Sequence, residues 1–414
     1  MDKIARRYCW LLIWACFAVY TATSCLKMVY SSELIEIVNR LGETKARVGL
    51  GLTAYFTTYF IGQVALAPFT KKINLGYVMI ISLVIQAVLF SLIPFTTNLY
   101  QMWIIIGLAG LANASTYGGC MHFLGIYLPQ DLNEAASSIM SVGFIGGTMV
   151  SYVIAPAFIE MGLWQWTFVL FAVILVLSLV FFVIAERKIK RIFKERNIDT
   201  SEKNDEIAKE IGENKGSSNK RLVSTIVVLM SLSMFFIHFA YYIFSNWFPA
   251  YLNEQYGVSQ SNALLVMVAL YVIAYGCTNF GLLLCSKFKV KLSRVLRIFV
   301  VVTFAATLAQ AVAYKSGLIF ALLFTMLIIA FSRALGSIIG SYFPLRIKSS
   351  VSTAISALLF NAAAGLGAAI GPSVSGSIQE AYGWGAYHVL GSAIFFISLI
   401  TVYLSTHFAK KLNV

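Results

Sequence analysis

Charged residues are scarce in this chain of 414 residues: Asp, Glu, Lys and Arg make up 12% of it, and hydrophobic residues 59%. A soluble domain of this length would need a larger polar surface. Acids are the scarcer charge, and all 17 Asp and Glu fall in connections or at the ends of apolar stretches, with Glu33 and Glu160 closest to their interiors. The sequence therefore excludes an ordinary soluble protein and offers no carboxylate at the middle of a membrane.

Motifs for catalysis and metal binding are also lacking. The sequence has no phosphate-binding loop, no nucleophile motif and no zinc-ligand spacing. Its six cysteines all lie in apolar stretches without disulfide or metal spacing, which favours a packing role. We therefore expect no enzyme activity, no metal and no cofactor.

Long apolar stretches, separated by short polar connections, are what the chain does have. A helix needs roughly 20 apolar residues to cross the hydrocarbon core, and only helices or closed barrels can cross it. Barrel strands would instead be ~10 residues long with alternating polarity. The pattern predicts an all-α membrane protein with twelve transmembrane helices. They are placed at 8–32, 48–70, 75–95, 99–127, 135–159, 164–186, 221–252, 260–285, 292–313, 317–343, 350–378 and 385–408.

The basic residues sort to one side of this arrangement. With a cytoplasmic N-terminus, all but six of the 31 Lys and Arg fall in cytoplasmic segments. Of these six, Lys27 and Arg333 fall inside spans, and the outer side receives only Arg40, Lys45, Arg47 and Lys315. This bias predicts that both termini lie in the cytoplasm. The expected location is the plasma membrane, in particular a bacterial inner membrane. The formal charge of +14 then reflects topology and contact with the anionic lipid bilayer, not nucleic-acid binding.

A charged segment divides the chain into two halves. Residues 188–220 nearly lack large apolar side chains and predict a cytoplasmic linker. Its beginning, with Ile189, Ile192 and Phe193, is interpreted as an amphipathic helix on the membrane surface. The predicted domains are residues 1–187 with six helices, the linker 188–220, and residues 221–414 with six helices.

The two halves are also related in sequence. Tyr127-Leu128-Pro129 closes the fourth predicted span, and Tyr342-Phe343-Pro344 closes the tenth, about 215 residues later. Pro156 ends the Gly-rich fifth span, and Pro372 ends the Gly-rich eleventh, whose run from Gly365 to Gly371 predicts close helix packing. Such a fixed offset indicates an internal duplication. Parallel repeats of this kind place a substrate site between the halves, near the bilayer midplane.

The six-plus-six arrangement, the central loop and the parallel repeat resemble the major facilitator superfamily over essentially the whole chain. Two segments are similar to its organic-anion branches, Asn246-Trp247-Phe248-Pro249-Ala250-Tyr251-Leu252 and Gly107 to Gly119. The resemblance implies two pseudo-symmetric six-helix bundles, a monomer, a small-molecule substrate and transport by alternating access.

The sequence departs from that family at informative positions. Lys71 stands about where the loop after the second helix usually carries Asp. Organophosphate antiporters carry an arginine in the first helix and one in the seventh, at positions that correspond here to Ser24 and Tyr241. These departures disfavour a phosphate ester and leave a carboxylate as the expected anion.

Arg333 is the sharpest candidate for substrate binding. It lies about ten residues from the end of the tenth span, which at ~1.5 Å per residue is ~15 Å deep. A charge there costs at least ~2.5 kcal/mol, so it should face water or a partner. It could clamp a carboxylate through its guanidinium fork, or be a structural arginine bonded to neighbouring helices.

Two further candidates carry, or can acquire, positive charge. Lys27, in the outer third of the first span, could be a second cationic contact or could extend outward toward Glu33. His122, which lies where the resemblance suggests an arginine in related anion transporters, could bind substrate or be a hydrogen-bonded interior histidine. His238 has weaker support, and His388 and His407 are assigned no role.

Polar and aromatic side chains complete the predicted cavity, although each could equally form an interhelical hydrogen bond. The predicted binding residues beside Arg333, His122 and Lys27 are Tyr20, Ser24, Tyr241, Tyr242, Tyr275 and Asn361. The expected function is secondary transport of a small organic anion by rocking of the two bundles. The alternatives are transport of a neutral or amphiphilic solute such as a sugar or drug, and a membrane sensor that does not transport.

Overall fold

The computed structural model describes residues 3–66, 73–196, 220–343 and 353–409. This part of the chain is helical apart from short connections, and it contains no strand. The helices are α1 Lys3–Ser32, α2 Leu34–Leu41, α3 Lys45–Leu66, α4 Leu75–Ser91, α5 Leu99–Asn113, α6 Thr116–Tyr127, α7 Gln130–Glu160, α8 Trp166–Glu195, α9 Lys220–Tyr256, α10 Gln260–Ser286, α11 Leu292–Ala313, α12 Leu318–Ser337 and α13 Thr353–Ala409.

These helices confirm the prediction of an all-α protein with twelve spans. Nine segments of the described chain are long and apolar enough to cross a membrane. Helix α3, with 22 residues, and helix α7, whose apolar part is the shorter Ile145–Glu160, correspond to two further predicted spans. The long α13 adds a third because Gly383 interrupts it with a left-handed backbone, φ 77°. Gly383 lies in the connection predicted between the spans 350–378 and 385–408.

Pro156 and Pro372, which were predicted to end the fifth and eleventh spans, do not end their helices. Helix α7 continues past Pro156 to Glu160, and α13 continues past Pro372 to its break at Gly383. A proline removes one backbone N–H from the helix ladder, and membrane helices tolerate this where neighbouring groups satisfy the freed carbonyl.

The chain forms two compact units. One contains residues 1–36 and 57–212, and the other contains residues 37–56 and 213–414. Residues 37–56, which the sequence places in the first bundle, therefore make their contacts with the second half. The predicted boundaries at 187/188 and 220/221 stay a prediction, because residues 197–219 of the linker lie outside the described residues.

The start of the predicted linker belongs to the first unit. Helix α8 runs on to Glu195, Ile189 is fully buried, and Phe193 is 5% exposed. The Phe193 ring packs edge-on against Tyr127, with 5.4 Å between centroids. The interpretation as a helix on the membrane surface was wrong for these residues, because their apolar face is covered by protein.

Glycines set the closest helix contacts in each unit. In the first unit, a Cβ added to Gly147 of α7 would lie 2.5 Å from the Thr21 carbonyl oxygen of α1. In the second unit, a Cβ on Gly367 of α13 would overlap the Phe235 carbonyl and lie 2.8 Å from the Phe239 nitrogen of α9. The predicted role of the Gly365–Gly371 run in close packing is confirmed at Gly367.

Candidate functional site

Arg333 lies on α12 in the second unit, and its side chain is half-buried. Its guanidinium carbon lies 5.8 Å from the centroid of the Tyr241 ring on α9, a cation–π contact. The contact is between a charge deep in the span and a ring that is 5% exposed. Two of the predicted site residues are therefore neighbours.

Tyr241 connects Arg333 to further polar side chains. Its hydroxyl is hydrogen-bonded to the side chains of Tyr271 on α10 and Ser245 on α9. Its ring meets Tyr242 edge-on at 5.2 Å. All of these side chains except Arg333 are buried, so residues 241–245 and Tyr271 form a buried polar and aromatic cluster within the second unit.

His238 also reaches the helix of Arg333. Its Nδ1 lies 3.0 Å from the Met234 carbonyl one turn back, and a Cβ added to Gly336 of α12 would lie 2.7 Å from its Cε1. The ring therefore packs on α12 one turn from Arg333, closer to the cluster than its weak sequence support suggested. Just beyond it, α12 widens into a π-helical turn at Ile338–Tyr342, a feature often found at functional sites.

Tyr275 and Asn361 are more exposed than the rest of the predicted set. Tyr275 is 38% exposed and lies one turn beyond the buried Tyr271 on α10. Asn279, one turn further, is exposed and donates to the Tyr275 carbonyl. Asn361 on α13 is exposed as well. The side chains 271, 275 and 279 thus form a polar stripe that begins at Tyr241 and ends on an exposed face.

The first unit contains the other predicted residues. The Tyr20 ring of α1 packs on Tyr117 of α6 with 5.2 Å between centroids. The Ser24 hydroxyl is buried and donates to the Tyr20 carbonyl at 2.8 Å. Gly147 of α7 presses against Ser24, since a Cβ there would lie 2.6 Å from the serine Cβ. Ser24 therefore fills a helix contact, whereas Tyr20 presents an aromatic face.

His122 and Lys27 have different surroundings. His122 is half-buried on α6 and contacts the ring of its neighbour Phe123. The Lys27 ammonium lies 5.2 Å from the centroid of the Tyr59 ring on α3. The lysine therefore makes a cation–π contact, and Glu33, toward which it could have extended, has no hydrogen-bond partner for either carboxylate oxygen among the described residues.

A polar cluster that the sequence analysis did not identify joins α3, α9 and α13 of the second unit. The Lys45 ammonium lies 2.5 Å from Glu254 Oε1 and 2.8 Å from Gln379 Oε1. Trp384 Nε1 donates to Glu254 Oε2 at 3.1 Å. The Lys45 ammonium also lies 5.1 Å from the Trp384 ring centroid. These four side chains are called the Lys45 cluster below.

The helices that carry the Lys45 cluster are packed closely around it. The Glu380 carboxylate accepts from the backbone N–H groups of Lys45 and Ala46, the first turn of α3, where a negative charge is favourable. Further along α3, the Thr53 hydroxyl donates to the Ala369 carbonyl. Lys45 was predicted only as one of the few basic residues on the outer side. Its partners lie more than 200 residues away, so no local pattern could reveal them.

The geometry defines a polytopic membrane protein with buried polar clusters inside an apolar helix bundle, the class to which membrane transporters belong. The sequence profile of the Major Facilitator Superfamily matches residues 12–360. The chain belongs to this superfamily, and it is a transporter of a small-molecule substrate, not an enzyme.

Solved structures agree on the fold. A bacterial homolog of the human lysosomal transporter Spinster, inward-facing and occupied, aligns with a TM-score of 0.70 at 16% identity, over 99% of this chain and 97% of that one. Its unoccupied form gives 0.68 at 16% identity over 99% of each chain. A variant of the nucleoside transporter NupG gives 0.69 at 14% identity, over 95% of this chain and 99% of that one. No curated protein sequence matches the chain. At such identities the likeness shows the fold alone, so the substrate has to be argued from the site.

Proposed function

We propose that this transporter moves a small organic anion, a carboxylate, by alternating access, with Arg333 as its main charge partner. The observation that carries the proposal is the position of Arg333, half-buried deep in a span and stacked on Tyr241. The protein maintains a costly charge at this depth, and the polar cluster around Tyr241 holds it in place.

The geometry of the contact suits a carboxylate. A guanidinium can contact an aromatic ring, and it carries its N–H donors in a planar fork that matches the two oxygens of a carboxylate. The tyrosine hydroxyls nearby would set shape and hydrogen bonding. Secondary contacts with the substrate are proposed for His122, Lys27 and Tyr20 of the first unit and for Tyr275 and Asn361 of the second. Ser24 is proposed as a secondary contact too, although it is the least exposed of these residues.

The localisation proposed from the charge pattern completes this function. The protein lies in the plasma membrane, in particular a bacterial inner membrane, with both termini in the cytoplasm. It works as a monomer. The anion would enter or leave the cell through this protein without the need for a cofactor.

Transport of a neutral or amphiphilic solute is the second candidate. The chain matches the nucleoside transporter NupG as well as the Spinster homolog in fold, and aromatic side chains such as Tyr241, Tyr242 and Tyr20 bind neutral rings readily. In that case Arg333 would have a structural role, and its replacement would lower stability without changing selectivity.

Thermal unfolding of the purified protein with matched ligands tests the proposal. The panel pairs each carboxylate with its amide or alcohol and adds phosphate esters, sugars and lipophilic cations. A ligand that binds the native state raises the melting temperature by mass action. We expect one carboxylate to raise the melting temperature of the wild type and its neutral twin to leave that temperature unchanged. In Arg333→Gln the carboxylate should no longer raise the melting temperature.

Arg297→Gln is the matched control. Arg297 is also stacked on a tyrosine, 4.9 Å from the Tyr403 ring centroid, and bonded to Thr406 at 2.8 Å in the same unit. It lies at the end of its span, so its loss should change stability but leave the ligand-induced shift intact. Stabilisation by neutral ligands alone, unchanged in Arg333→Gln, would overturn the anion proposal.

A further inference from the structure

Glu33 is a fully buried acid outside the site described above. It lies in the turn between α1 and α2, just past the last residue of the first span, and its exposed fraction is 0%. Neither carboxylate oxygen has a hydrogen-bond partner among the described residues. The neighbouring Thr167 hydroxyl on α8, also 0% exposed, is equally without a hydrogen bond there.

The surroundings of Glu33 disfavour a negative charge. The closest charged group on α2 is Glu36, itself 7% exposed, which adds negative potential. From α8 the neighbour is Thr167, a neutral hydroxyl. On its own helix α1, the Lys27 ammonium lies over the Tyr59 ring. No ion pair involving Glu33 is present in the described part of the chain.

A carboxylate in such a place is neutral unless something compensates its charge. Burial, opposed by the Thr167 hydroxyl and reinforced by Glu36, raises the pKa of Glu33 well above its ordinary value. The neutral acid is a donor as well as an acceptor, so its O–H can donate to the Thr167 oxygen. Protonation thus removes the buried charge while the two groups can still pair.

We propose that Glu33 is a proton-binding site that couples transport to the proton gradient, binding a proton when it is buried and releasing it when it is hydrated. Binding is the addition of one proton to the carboxylate oxygen, and release is the reverse. By linkage, the conformation that buries Glu33 has the higher affinity for the proton, and a proton favours that conformation. The coupling role rests on the proposed transport function, whereas the proton site itself does not.

A proton site would also complete the charge balance of the proposed transport. A monovalent carboxylate that crosses with one proton moves no net charge, so the membrane potential would not oppose its uptake. The sequence offers no acid at mid-membrane for this task, and Glu33 is the acid that is buried most completely among the described residues.

Infrared spectroscopy of the purified protein tests the proton site without any substrate. The C=O stretch of a protonated carboxylic acid should be present in the wild type at about pH 7 and absent in Glu33→Gln. The exposed Glu160 provides the control, because Glu160→Gln should keep the band. We expect a proton affinity at least about tenfold above that of an exposed glutamate. A wild-type spectrum without the band would overturn the proposal.

The pH dependence of unfolding gives an independent measure. Because the folded protein holds the proton more tightly than the unfolded chain, the stability from protonation is fully present below about pH 4.3 and is lost as pH rises through the pKa of the folded state. The wild-type melting temperature should therefore fall relative to Glu33→Gln over that interval, while Glu160→Gln follows the wild type. Parallel curves for wild type and Glu33→Gln contradict a proton on Glu33.

Proteoliposomes test the coupling, with the carboxylate that stabilises the protein in the panel above as probe. An imposed pH gradient should drive accumulation by the wild type, and Glu33→Gln should reduce this about tenfold or more while exchange of internal for external probe continues. Equal gradient-driven accumulation by both proteins overturns the coupling role. Accumulation driven by a sodium gradient instead, with Glu33 still required, would replace the proton by sodium. If no carboxylate binds, the spectroscopic and unfolding measurements still decide the proton site, and only the anion proposal fails.

Discussion

The ammonium of Lys45 at the start of α3 lies 2.5 Å from the carboxylate of Glu254 at the end of α9. Gln379 and Trp384 of α13 bond the same two groups, so one ion pair joins three helices of the second unit. In the predicted topology, Lys45 and Glu254 follow the spans 8–32 and 221–252, both of which end on the outer side of the membrane. Movement of the first half of α3 away from α9 and α13 requires this pair to break.

A double-mutant cycle measures the strength of the pair. Lys45→Gln and Glu254→Gln should together cost less stability than the sum of the two single changes, with a coupling energy of about 0.5–1 kcal/mol. The value is modest because the Glu254 side chain is 40% exposed and solvent screens it. The coupling should shrink in high salt. Arg47→Gln breaks a half-exposed pair with Glu43, one turn away on the same segment, and should cost less because that pair joins no second helix. A coupling of zero for Lys45 and Glu254 would show that their pair does not form.

Two glycines on α13 should respond oppositely to alanine. Gly367→Ala should destabilise the protein by about 1–3 kcal/mol, because the added methyl would meet the backbone of Phe235 and Phe239, which cannot move aside. Gly365→Ala, where nothing lies within 4 Å, should be neutral or stabilise by up to about 1 kcal/mol. Thermal unfolding of both variants is the measurement, and equal effects would contradict the close packing of α9 and α13.

The extension of α8 should contribute to stability. Phe193→Ala should destabilise the first unit by about 3 kcal/mol, because the ring is buried against Tyr127. The exposed Lys194→Ala, next to it, should change stability by less than about 0.5 kcal/mol. If Phe193 instead lay on the membrane surface, its loss would weaken association with anionic vesicles and leave unfolding in detergent unchanged.

Replacing Arg333 by lysine separates charge from geometry. Arg333→Lys keeps the positive charge but loses the planar fork that binds two oxygens, so affinity for the stabilising carboxylate should fall by about tenfold. Arg333→Gln should lower it by at least about thirtyfold, the effect of removing one member of a buried charge pair. Isothermal titration with the purified variants measures both. Lysine and glutamine variants with wild-type affinity would show that Arg333 does not touch the anion.

The sequence was informative where one residue type repeats with a fixed period. The apolar stretches predicted the twelve spans, and the glycine run predicted close helix packing, which Gly367 makes against α9. Charge and depth also singled out Arg333, because an arginine inside a span is costly wherever its partner lies.

The sequence was uninformative where the outcome depended on residues far apart in the chain. Local amphipathicity at Ile189 and Phe193 cannot distinguish a lipid surface from the protein surface that actually covers them. Lys45 was predicted only to lie on the outer side, because Glu254, Gln379 and Trp384 are brought to it only by folding. Glu33 was recognised as close to the first span, but its complete burial follows from α2 and α8, which no local pattern places there.

Carboxylate transport by this protein is expected to depend on Arg333. The most direct test is uptake into proteoliposomes of the carboxylate that raises the melting temperature, with wild type, Arg333→Gln and Arg297→Gln compared at equal reconstituted amounts. We expect the wild type and Arg297→Gln to take up the carboxylate with saturable kinetics, and we expect its neutral twin not to inhibit this uptake. We expect Arg333→Gln to show no uptake. Binding without uptake by the wild type would identify a sensor, and uptake that survives in Arg333→Gln would contradict the proposed role of this arginine.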